Sequence, residues 1–303
     1  MHFNMKKLIT GGTGLIGSAF EEGEKVGSKY NLVSLFDTGL MFRDYKPDVV
    51  IHCAAKVGGV GANMNYPAEF YYKNIMMNTN IIDTCYRREV KKLVCFLSTC
   101  VFPNDVEYPL DETKIHLGEP HFTNAPYAYA KRMADVQIQA YNKQYDTKYF
   151  SVIPCNVYGP NDNYNLDNGH VIPTLIHKCY LAKQNNTPFE VWGDGTPLRE
   201  FIFSKDVANI VDLLLEKYEG TDPVIISNPT EYTIKQVVDL IVEHLGFDGE
   251  VKWLTDKPNG QYRKPSSNKK LLSIIGEYNF TTLEIGLKES IDWFILNYPK
   301  IRK

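Results

Sequence analysis

Short apolar runs alternate with longer amphipathic stretches through the first half of the chain. A short apolar run predicts a strand, and apolar residues that recur every three to four positions predict a helix. The runs that predict strands are 6–10, 31–36, 48–53, 92–98 and 148–154. The stretches that predict helices are 15–25, 67–88 and 124–145, the last with Asn124 as a candidate cap. This alternation predicts an α/β fold with a doubly wound parallel sheet of the Rossmann type.

The pattern changes after about residue 158, where a polar loop covers 161–169. Further helices are predicted at 171–183, 204–218, 233–245 and 281–296, and short strands at 189–192 and 199–203. These elements predict a smaller α/β domain that binds a substrate. We therefore expect a Rossmann domain at 1–157 and a mainly substrate-binding domain at 158–303, with about 200–228 returning to the first sheet.

The composition is ordinary for a globular protein of 303 residues, with 44% hydrophobic and 23% charged residues. The net charge of -3 gives no reason to expect nucleic acid as a partner, and no apolar run is long enough to span a membrane. The first ten residues predict a strand rather than a signal peptide. The six cysteines form no C-x-x-C pair, so we expect no metal site and a reducing, cytoplasmic compartment.

Three glycines, Gly11, Gly14 and Gly17, stand three apart where the first predicted strand leads into the first predicted helix. In a dinucleotide-binding turn, such glycines allow a tight turn, close approach of the backbone to pyrophosphate and close helix–strand packing. The amides at the N-terminus of the helix would then face the phosphates. Glycines at this spacing also occur in ordinary turns. The prediction of a nucleotide site therefore depends on the position of these glycines directly after the first strand.

Two interpretations compete at the ribose end of such a site. Asp37 follows the second predicted strand, 20 residues after Gly17, where a carboxylate would bind a ribose hydroxyl and favour NAD. Asp37 is equally well explained as a turn residue. Arg43 and Lys46 could instead meet a 2′-phosphate, which would favour NADP.

Tyr127 and Lys131 are four apart on a predicted helix and therefore face the same way. A nearby ammonium lowers the pKa of a tyrosine, which would make Tyr127 a proton donor to a developing alkoxide. Ser98, at the end of the fourth predicted strand, would hold the same oxygen by a hydrogen bond. Tyr129 has no lysine at that spacing. These residues predict hydride transfer at a carbonyl group.

Cys100 and His170 suggest a second reaction, the transfer of protons at carbon. If the extended backbone continues past Ser98, the side chains of Ser98 and Cys100 face the same pocket. A thiol with an ordinary pKa of about 8.5 needs only a modest lowering to act as a base, and an imidazole with a pKa of about 6.5 suits an acid–base role. Taken singly, Cys100 would be interpreted as a core residue and His170 as a loop residue.

The glycine turn, Ser98 and the Tyr127-x-x-x-Lys131 motif resemble the extended short-chain dehydrogenase/reductase family, and residues 192–203 resemble its nucleotide-sugar signature. Further motifs resemble one branch of that family nearly end to end. They are Ala54-Ala-Lys-Val-Gly-Gly, Leu97-Ser-Thr-Cys-Val-Phe-Pro, Asn156-Val-Tyr-Gly-Pro-Asn-Asp-Asn, Gly169-His-Val-Ile-Pro and Asp292-Trp-Phe. Members of that branch epimerise GDP-4-keto-6-deoxy-D-mannose at C3 and C5 and then reduce the C4 ketone with NADPH, which yields GDP-L-fucose.

The resemblance implies that Cys100 is the epimerisation base, His170 the acid and Tyr127 the proton donor in the reduction. It implies a homodimer paired through 67–88 and 124–145. The residues that it places against NADP(H) are Gly11, Gly14, Leu15, Ile16, Gly17, Lys131, Pro154, Asn156, Val157 and His170. The residues that it places against the GDP-sugar are Asn156, Lys178, Trp192 and Arg199, although Trp192 could equally be a buried aromatic residue at a strand end.

The sequence departs from the family between 17 and 49, so NADP rather than NAD follows from the resemblance and not from this region. Ser267 stands where some members carry an aspartate that contacts the substrate. Two other functions stay open. A nucleotide-sugar 4-epimerase or 4,6-dehydratase would not need the Cys100–His170 pair, and a non-catalytic NADP(H)-binding sensor would not need Tyr127 and Lys131.

Overall fold

Buried apolar strands form the centre of the molecule. The computed structural model describes residues 5–257 and 259–302; positions 1–4, 258 and 303, which the predicted domain ranges include, lie outside the described residues. The strands are β1 (Lys7–Thr10), β2 (Glu24–Val26), β3 (Val49–His52), β4 (Lys92–Phe96), β5 (Tyr149–Pro154), β6 (Asn156–Tyr158), β7 (Phe189–Trp192), β8 (Leu198–Phe203), β9 (Val224–Ile226), β10 (Glu231–Thr233) and β11 (Val251–Leu254). β3 and β5 bury every residue, as parallel strands covered on both faces do.

Helices surround these strands. They are α1 (Leu35–Tyr45), α2 (Val60–Asn65), α3 (Pro67–Arg87), α4 (Ala125–Tyr145), α5 (Val171–Asn185), α6 (Ser204–Lys217), α7 (Ile234–Leu245), α8 (Lys269–Ile275) and α9 (Leu283–Asn297). The two longest, α3 and α4, pack against each other. Each carries proline in its first turn, at Pro67 and Pro126, where a missing amide hydrogen costs no hydrogen bond. Over the described residues, no helix combines the length and apolar character needed to cross a bilayer.

Six strands form one parallel sheet in the order β2-β1-β3-β4-β5-β9. Leu8 and Leu93 face a core formed with α3 and α4, whereas their neighbours Ile9 and Val94 face a core formed with α6 and α8. Helices therefore cover both faces, and the predicted doubly wound Rossmann-type fold is confirmed. The strands that follow β1 in the chain lie on opposite sides of it, β2 on one side and β3 on the other. Ligands of open parallel sheets bind where the strand order changes direction in this way, so a ligand is expected at the carboxyl ends of β1 and β3.

A second core lies beyond the large sheet. The small sheets β10-β8-β6 and β11-β7 pack with α5, α7 and α9 around residues such as Phe189, Ile241 and Phe294. Within 200–228, α6 packs on the large sheet and β9 pairs with β5 in it, whereas β8 belongs to the three-stranded sheet. The domain boundary at 157 stays a prediction.

The predicted helix at 15–25 is wrong. A single 3₁₀ turn, Gly17–Ala19, is followed by a bend and then by β2. Gly23 has φ +117°, a conformation outside any right-handed helix, and a Cβ there would lie 3.0 Å from the Ile9 side chain. Pairing of β2 with β1 outweighs the local helical pattern of this segment.

The predicted strand at 31–36 is also wrong, because this segment leads into α1. The Ser34 hydroxyl accepts a hydrogen bond of 3.2 Å from the amide of Asp37 and thereby caps the helix. Met41 and Phe42 follow at helical spacing and are buried. The apolar run that suggested a strand contains Leu35 and Phe36, whose side chains are exposed in the first turn.

Candidate active site

The glycine turn lies at the carboxyl end of β1, beside β3. Gly11 has φ +67°, and a Cβ there would lie 2.8 Å from the amide nitrogen of Ala54. A Cβ on Gly17 would lie 2.8 Å from the carbonyl carbon of Gly11 and closer still to its oxygen. Both positions therefore require glycine for the turn itself.

Gly14 has an open side. A Cβ there would meet only the Gly11 oxygen at 3.4 Å and the Arg302 Nη1 at 4.0 Å. This space lets a phosphate approach the backbone, so the turn fits a dinucleotide pyrophosphate. The predicted helix that would aim its amides at the phosphates is replaced by one 3₁₀ turn. Leu15 and Ile16 are half-buried within the same turn.

The predicted position of Asp37, at the end of the second strand, is wrong. Asp37 lies in the first turn of α1, whereas the second strand ends at Val26. The three residues after β2, Gly27-Ser28-Lys29, include an exposed ammonium, that of Lys29, and no carboxylate. Arg43 is paired with Asp44 on the exposed face of α1. The geometry therefore gives no support for a carboxylate at the ribose.

The first turns of α4 bring Tyr127 and Lys131 to the end of β4. Lys131 is only 2% exposed, and its ammonium donates a hydrogen bond of 2.7 Å to the carbonyl oxygen of Phe96. The same ammonium lies 5.9 Å from the centroid of the Tyr127 ring, which packs edge-on against Phe70. The two residues therefore share one buried place beside the strand end, as their spacing predicted.

The electrostatics of Tyr127 differ from the expectation. Burial raises the pKa of Tyr127 well above its ordinary value, and the nearby Cys100 adds to the rise. Among the described residues, the Lys131 ammonium is hydrogen-bonded to Phe96 and not to the Tyr127 hydroxyl. The expected lowering of the Tyr127 pKa is therefore wrong. Tyr127 is a neutral phenol throughout the physiological range, which suits a proton donor.

Ser98 and Cys100 meet through a turn. Residues Thr99–Val101 form a 3₁₀ turn, and the Cys100 amide donates a hydrogen bond of 3.4 Å to the Ser98 hydroxyl. The predicted extended backbone past Ser98 is therefore wrong. The thiol nevertheless lies near enough to Lys131 for each group to affect the other's pKa. The turn thus places Cys100 near Tyr127 and Lys131.

Burial raises the pKa of the Cys100 thiol, opposite to the lowering expected from the sequence. A hydrogen bond with Ser98 and the charges of Lys264 and Lys131 act against this rise. No pattern in the sequence singles out Lys264, which lies in the loop after β11. Its half-buried ammonium donates a hydrogen bond of 2.9 Å to the carbonyl oxygen of Thr99.

His170 immediately precedes α5, at the end of the polar loop. The Asn165 side-chain oxygen accepts a hydrogen bond of 2.9 Å from the amide of Asp167, which helps to fold that loop. Desolvation, and then the charge of Arg302, lowers the pKa of His170. Across the part of the chain that the structure describes, no hydrogen bond joins His170 to Cys100. The structure therefore does not bring this predicted pair into direct contact.

Comparison with known proteins agrees with this geometry. A family model described as the NAD dependent epimerase/dehydratase family matches residues 30–228. GDP-L-fucose synthase of Dictyostelium discoideum is 46% identical over 98% of this chain and 97% of its own length, and that of Escherichia coli is 34% identical over 97% and 98%. The chain belongs to the NAD-dependent epimerase/dehydratase family and, within it, to the GDP-L-fucose synthases. The crystal structure of a GDP-L-fucose synthetase from Naegleria fowleri bound to NADP superposes with a TM-score of 0.95, at 41% identity, covering 100% of this chain and 96% of that one.

Two residues that the GDP-L-fucose synthase motifs associate with substrate form a pair in the second part of the chain. The Lys178 ammonium on α5 lies 5.2 Å from the centroid of the Trp192 ring, and burial lowers the pKa of Lys178. Trp192 is 58% exposed, so its alternative interpretation as a buried aromatic residue is wrong. Both side chains line a surface cavity of about 350 Å³ together with Glu190.

One other predicted ligand residue, Arg199, is linked to Cys100 through Lys264, whose charge acts on the thiol. Arg199 on β8 is near enough to Lys264 for its charge to lower the pKa of that lysine. Asn156 is exposed on the neighbouring strand β6, where Val157 is half-buried, and Pro154 is buried at the end of β5. Their contacts with cofactor and GDP-sugar stay predictions for this GDP-L-fucose synthase family member.

Asn124 has an unpartnered polar atom that the sequence did not suggest. Its Oδ1 atom is buried and has no hydrogen-bond partner among the described residues. Asn124 is the N-cap residue of α4, as predicted, but its side chain makes no capping hydrogen bond. A buried carbonyl oxygen three residues before Tyr127 can accept a hydrogen bond from a ligand hydroxyl.

Proposed function

We propose that this chain converts GDP-4-keto-6-deoxy-D-mannose into GDP-L-fucose by epimerisation at C3 and C5, followed by NADPH-dependent reduction at C4. The observation that carries this proposal is the grouping of Cys100 with Ser98, Tyr127 and Lys131 at the end of β4. Hydroxyl donors and a thiol at one place suit a ketone whose neighbouring carbons exchange protons. The function of the relatives, named GDP-L-fucose synthase, supports the same reaction.

We infer that NADP(H) is the cofactor. The open side of Gly14 fits a pyrophosphate, and Lys29 follows β2 where a 2′-phosphate would need a cation. The NADP-bound Naegleria structure supports this choice. When bound, the reduced cofactor supplies the hydride. The buried Lys131 ammonium is suited to orient the ribose of the nicotinamide half.

The ketone oxygen is central to every step. A C4 ketone acidifies the hydrogens on C3 and C5, because the electron pair left at carbon moves onto the oxygen. The hydroxyls of Ser98 and Tyr127 are the donors for that oxygen, in a buried place where such hydrogen bonds stabilise charge strongly. The Lys131 ammonium adds positive charge close by.

Cys100, as thiolate, removes a proton from one face of the sugar ring, and His170 returns a proton to the other face. Lys264 and Lys131 favour the thiolate against the effect of burial. An acid and a base that act on opposite faces of a bound ring need no direct hydrogen bond between them. After both centres are inverted, Tyr127 donates its phenolic proton to the C4 oxygen as that carbon is reduced.

Turnover in deuterated water tests both reactions at once. The purified protein is mixed with GDP-4-keto-6-deoxy-D-mannose and NADPH, and the nicotinamide absorbance and product NMR spectrum are followed. We expect cofactor oxidation and deuterium at C3 and C5 of GDP-L-fucose. Oxidation without deuterium would indicate a simple ketone reductase and remove Cys100 and His170 from the mechanism. No oxidation would exclude this substrate and favour another sugar nucleotide or a sensor.

We also infer a homodimer paired through α3 and α4. The support is a set of exposed apolar side chains on these two packed helices, Tyr71, Tyr72, Met133 and Val136, which are 36% to 55% exposed. Light scattering after size-exclusion chromatography should give twice the chain mass of 34.6 kDa. A Tyr72→Glu and Val136→Glu double variant should give the single mass, and a monomeric wild-type protein would refute the dimer.

We infer a cytoplasmic location from the cysteines. All six are free, and Cys53 and Cys100 are only half-buried. Reduced thiols of this kind are typical of proteins kept in a reducing compartment. Imaging of a tagged full-length chain would check the location, and a secretory distribution would contradict it.

A further inference from the structure

The segment after α9 folds back to the glycine turn. Ile301 is buried in the second core, and the backbone carbonyl oxygen of Arg302 accepts a hydrogen bond of 3.0 Å from the amide of Tyr164. These two contacts fix the backbone on either side of the Arg302 side chain. The Arg302 side chain is exposed, and its Nη1 atom lies 4.0 Å from the position that a Cβ on Gly14 would take.

The guanidinium of Arg302 is not used within the protein. Among the described residues it makes no hydrogen bond and no ion pair. The positive charge of Arg302 lowers the pKa of His170, and it opposes the rise that burial causes in the pKa of Asp162. The Oδ2 atom of Asp162 is buried and has no hydrogen-bond partner in the described structure. Arg302 is therefore an exposed cation beside the glycine turn, and the described residues give its side chain no partner.

We propose that Arg302 binds the pyrophosphate of the dinucleotide cofactor, an inference that rests on the proposed NADP(H) dependence. Gly14 has space on its open side, and Arg302 borders that space. The turn lacks the long helix whose N-terminus usually faces the phosphates, so a cation supplies attraction that the backbone amides alone do not. A planar guanidinium presents paired donors that match phosphate oxygens.

The pyrophosphate is favoured over the 2′-phosphate by the arrangement of the turn. The side of the glycine turn opposite Gly14 packs on the end of β2. There the Gly12 amide donates a hydrogen bond of 2.9 Å to the carbonyl oxygen of Val26, and a Cβ on Gly27 would lie 3.0 Å from the Thr13 side chain. A 2′-phosphate is expected there, beside Lys29. Arg302 meets the turn at Gly14 instead, and it is the Arg302 charge that reaches His170.

Binding of NADPH and NADH to the full-length protein, measured by calorimetry without substrate, tests the assignment. Because both cofactors carry the pyrophosphate, Arg302→Ala should weaken both by the same factor, roughly tenfold or more for a lost charge-assisted contact. Lys300→Ala is the matched control, since it removes an exposed cation from the same segment, and it should leave both affinities unchanged. Arg302→Lys should recover part of the loss.

Other outcomes would overturn the assignment. Weaker NADPH binding with unchanged NADH binding would place Arg302 at the 2′-phosphate. Unchanged affinities with a lower melting temperature would show that Arg302 serves the fold by balancing Asp162. If the wild-type protein binds neither dinucleotide, the proposed NADP(H) dependence itself is refuted. If the wild-type protein binds both and Arg302→Ala binds them with the same affinities, only the role of Arg302 is refuted.

Discussion

The Lys264 ammonium donates a hydrogen bond of 2.9 Å to the carbonyl oxygen of Thr99, the residue directly before Cys100. This contact fixes a positive charge beside the thiol that we propose as the epimerisation base. Burial raises the pKa of Cys100, whereas Lys264 lowers it. The relationship therefore links the conformation of a distant loop to the fraction of thiolate in the site.

Replacement of Lys264 by methionine should raise the pKa of Cys100, because a charge that favours the thiolate is lost. Alkylation of Cys100 by iodoacetamide, followed across pH by mass spectrometry, should move to higher pH. Deuterium exchange into the substrate should slow in proportion to the lost thiolate, about tenfold if the midpoint of alkylation rises by roughly one pH unit. Lys270→Met is the matched control, since Lys270 is also half-buried and donates to a backbone carbonyl oxygen, that of Pro223. An unchanged alkylation profile would limit Lys264 to holding its loop.

Replacement of Tyr127 by phenylalanine should slow NADPH oxidation by on the order of 10² to 10⁴, the usual effect of losing a general acid. The ring that packs against Phe70 is retained, so the melting temperature should change little. Tyr129→Phe serves as control because Tyr129 is exposed and carries no lysine four residues later. If Tyr127→Phe still reduces the ketone at the wild-type rate, Tyr127 is not the proton donor.

The epimerisation rate should be nearly constant over a wide range of pH. The step needs the Cys100 thiolate and the His170 imidazolium together, yet burial raises the pKa of Cys100 above its ordinary value and lowers the pKa of His170 below its ordinary value, so the thiol is the weaker acid of the two. Between these two pKa values, each gain in thiolate is matched by a loss of imidazolium. At pH values below the pKa of His170, the imidazole is fully protonated and further acid removes only thiolate, so the rate should decrease. At pH values above the pKa of Cys100, the thiol is fully ionised and further base removes only imidazolium, so the rate should decrease again.

Deuterium exchange measured from roughly pH 5 to 10 would check this profile. The variant His170→Gln should remove the alkaline decrease together with most of the rate. A narrow bell centred near neutrality would contradict the pKa directions in this site.

Two neighbouring glycines should respond differently to alanine. Gly17→Ala should destabilise the fold by about 1–3 kcal/mol and lower the melting temperature, because its Cβ would overlap the carbonyl group of Gly11. Gly14→Ala should keep the melting temperature, since its Cβ meets nothing nearer than 3.4 Å, but weaken NADPH binding by filling the space for a phosphate. Thermal scans with calorimetric titration would distinguish the two, and an equal loss of stability would contradict the open side of Gly14.

The long elements could be predicted from the sequence because their patterns are local. Helices α3 and α4 have several turns of periodic apolar residues and a proline in the first turn, and β4 is a continuous apolar run. The short segments between Gly17 and Val49 were predicted wrongly. There a three-residue edge strand forms only because β1 is available to pair with it, and the cap at Ser34 begins a helix inside an apolar run.

The sequence by itself determined which chemical groups are present and how the near ones are spaced: the glycine turn, Tyr127 with Lys131 one helical turn later, and Ser98 two residues before Cys100. The tertiary structure alone decided their acidities and their distant neighbours. Burial raises the pKa values of Tyr127 and Cys100, and Lys264 approaches Thr99 across 165 positions of the chain. Desolvation and Coulomb interactions depend on distances in space, which residues far apart in sequence acquire only when the chain folds.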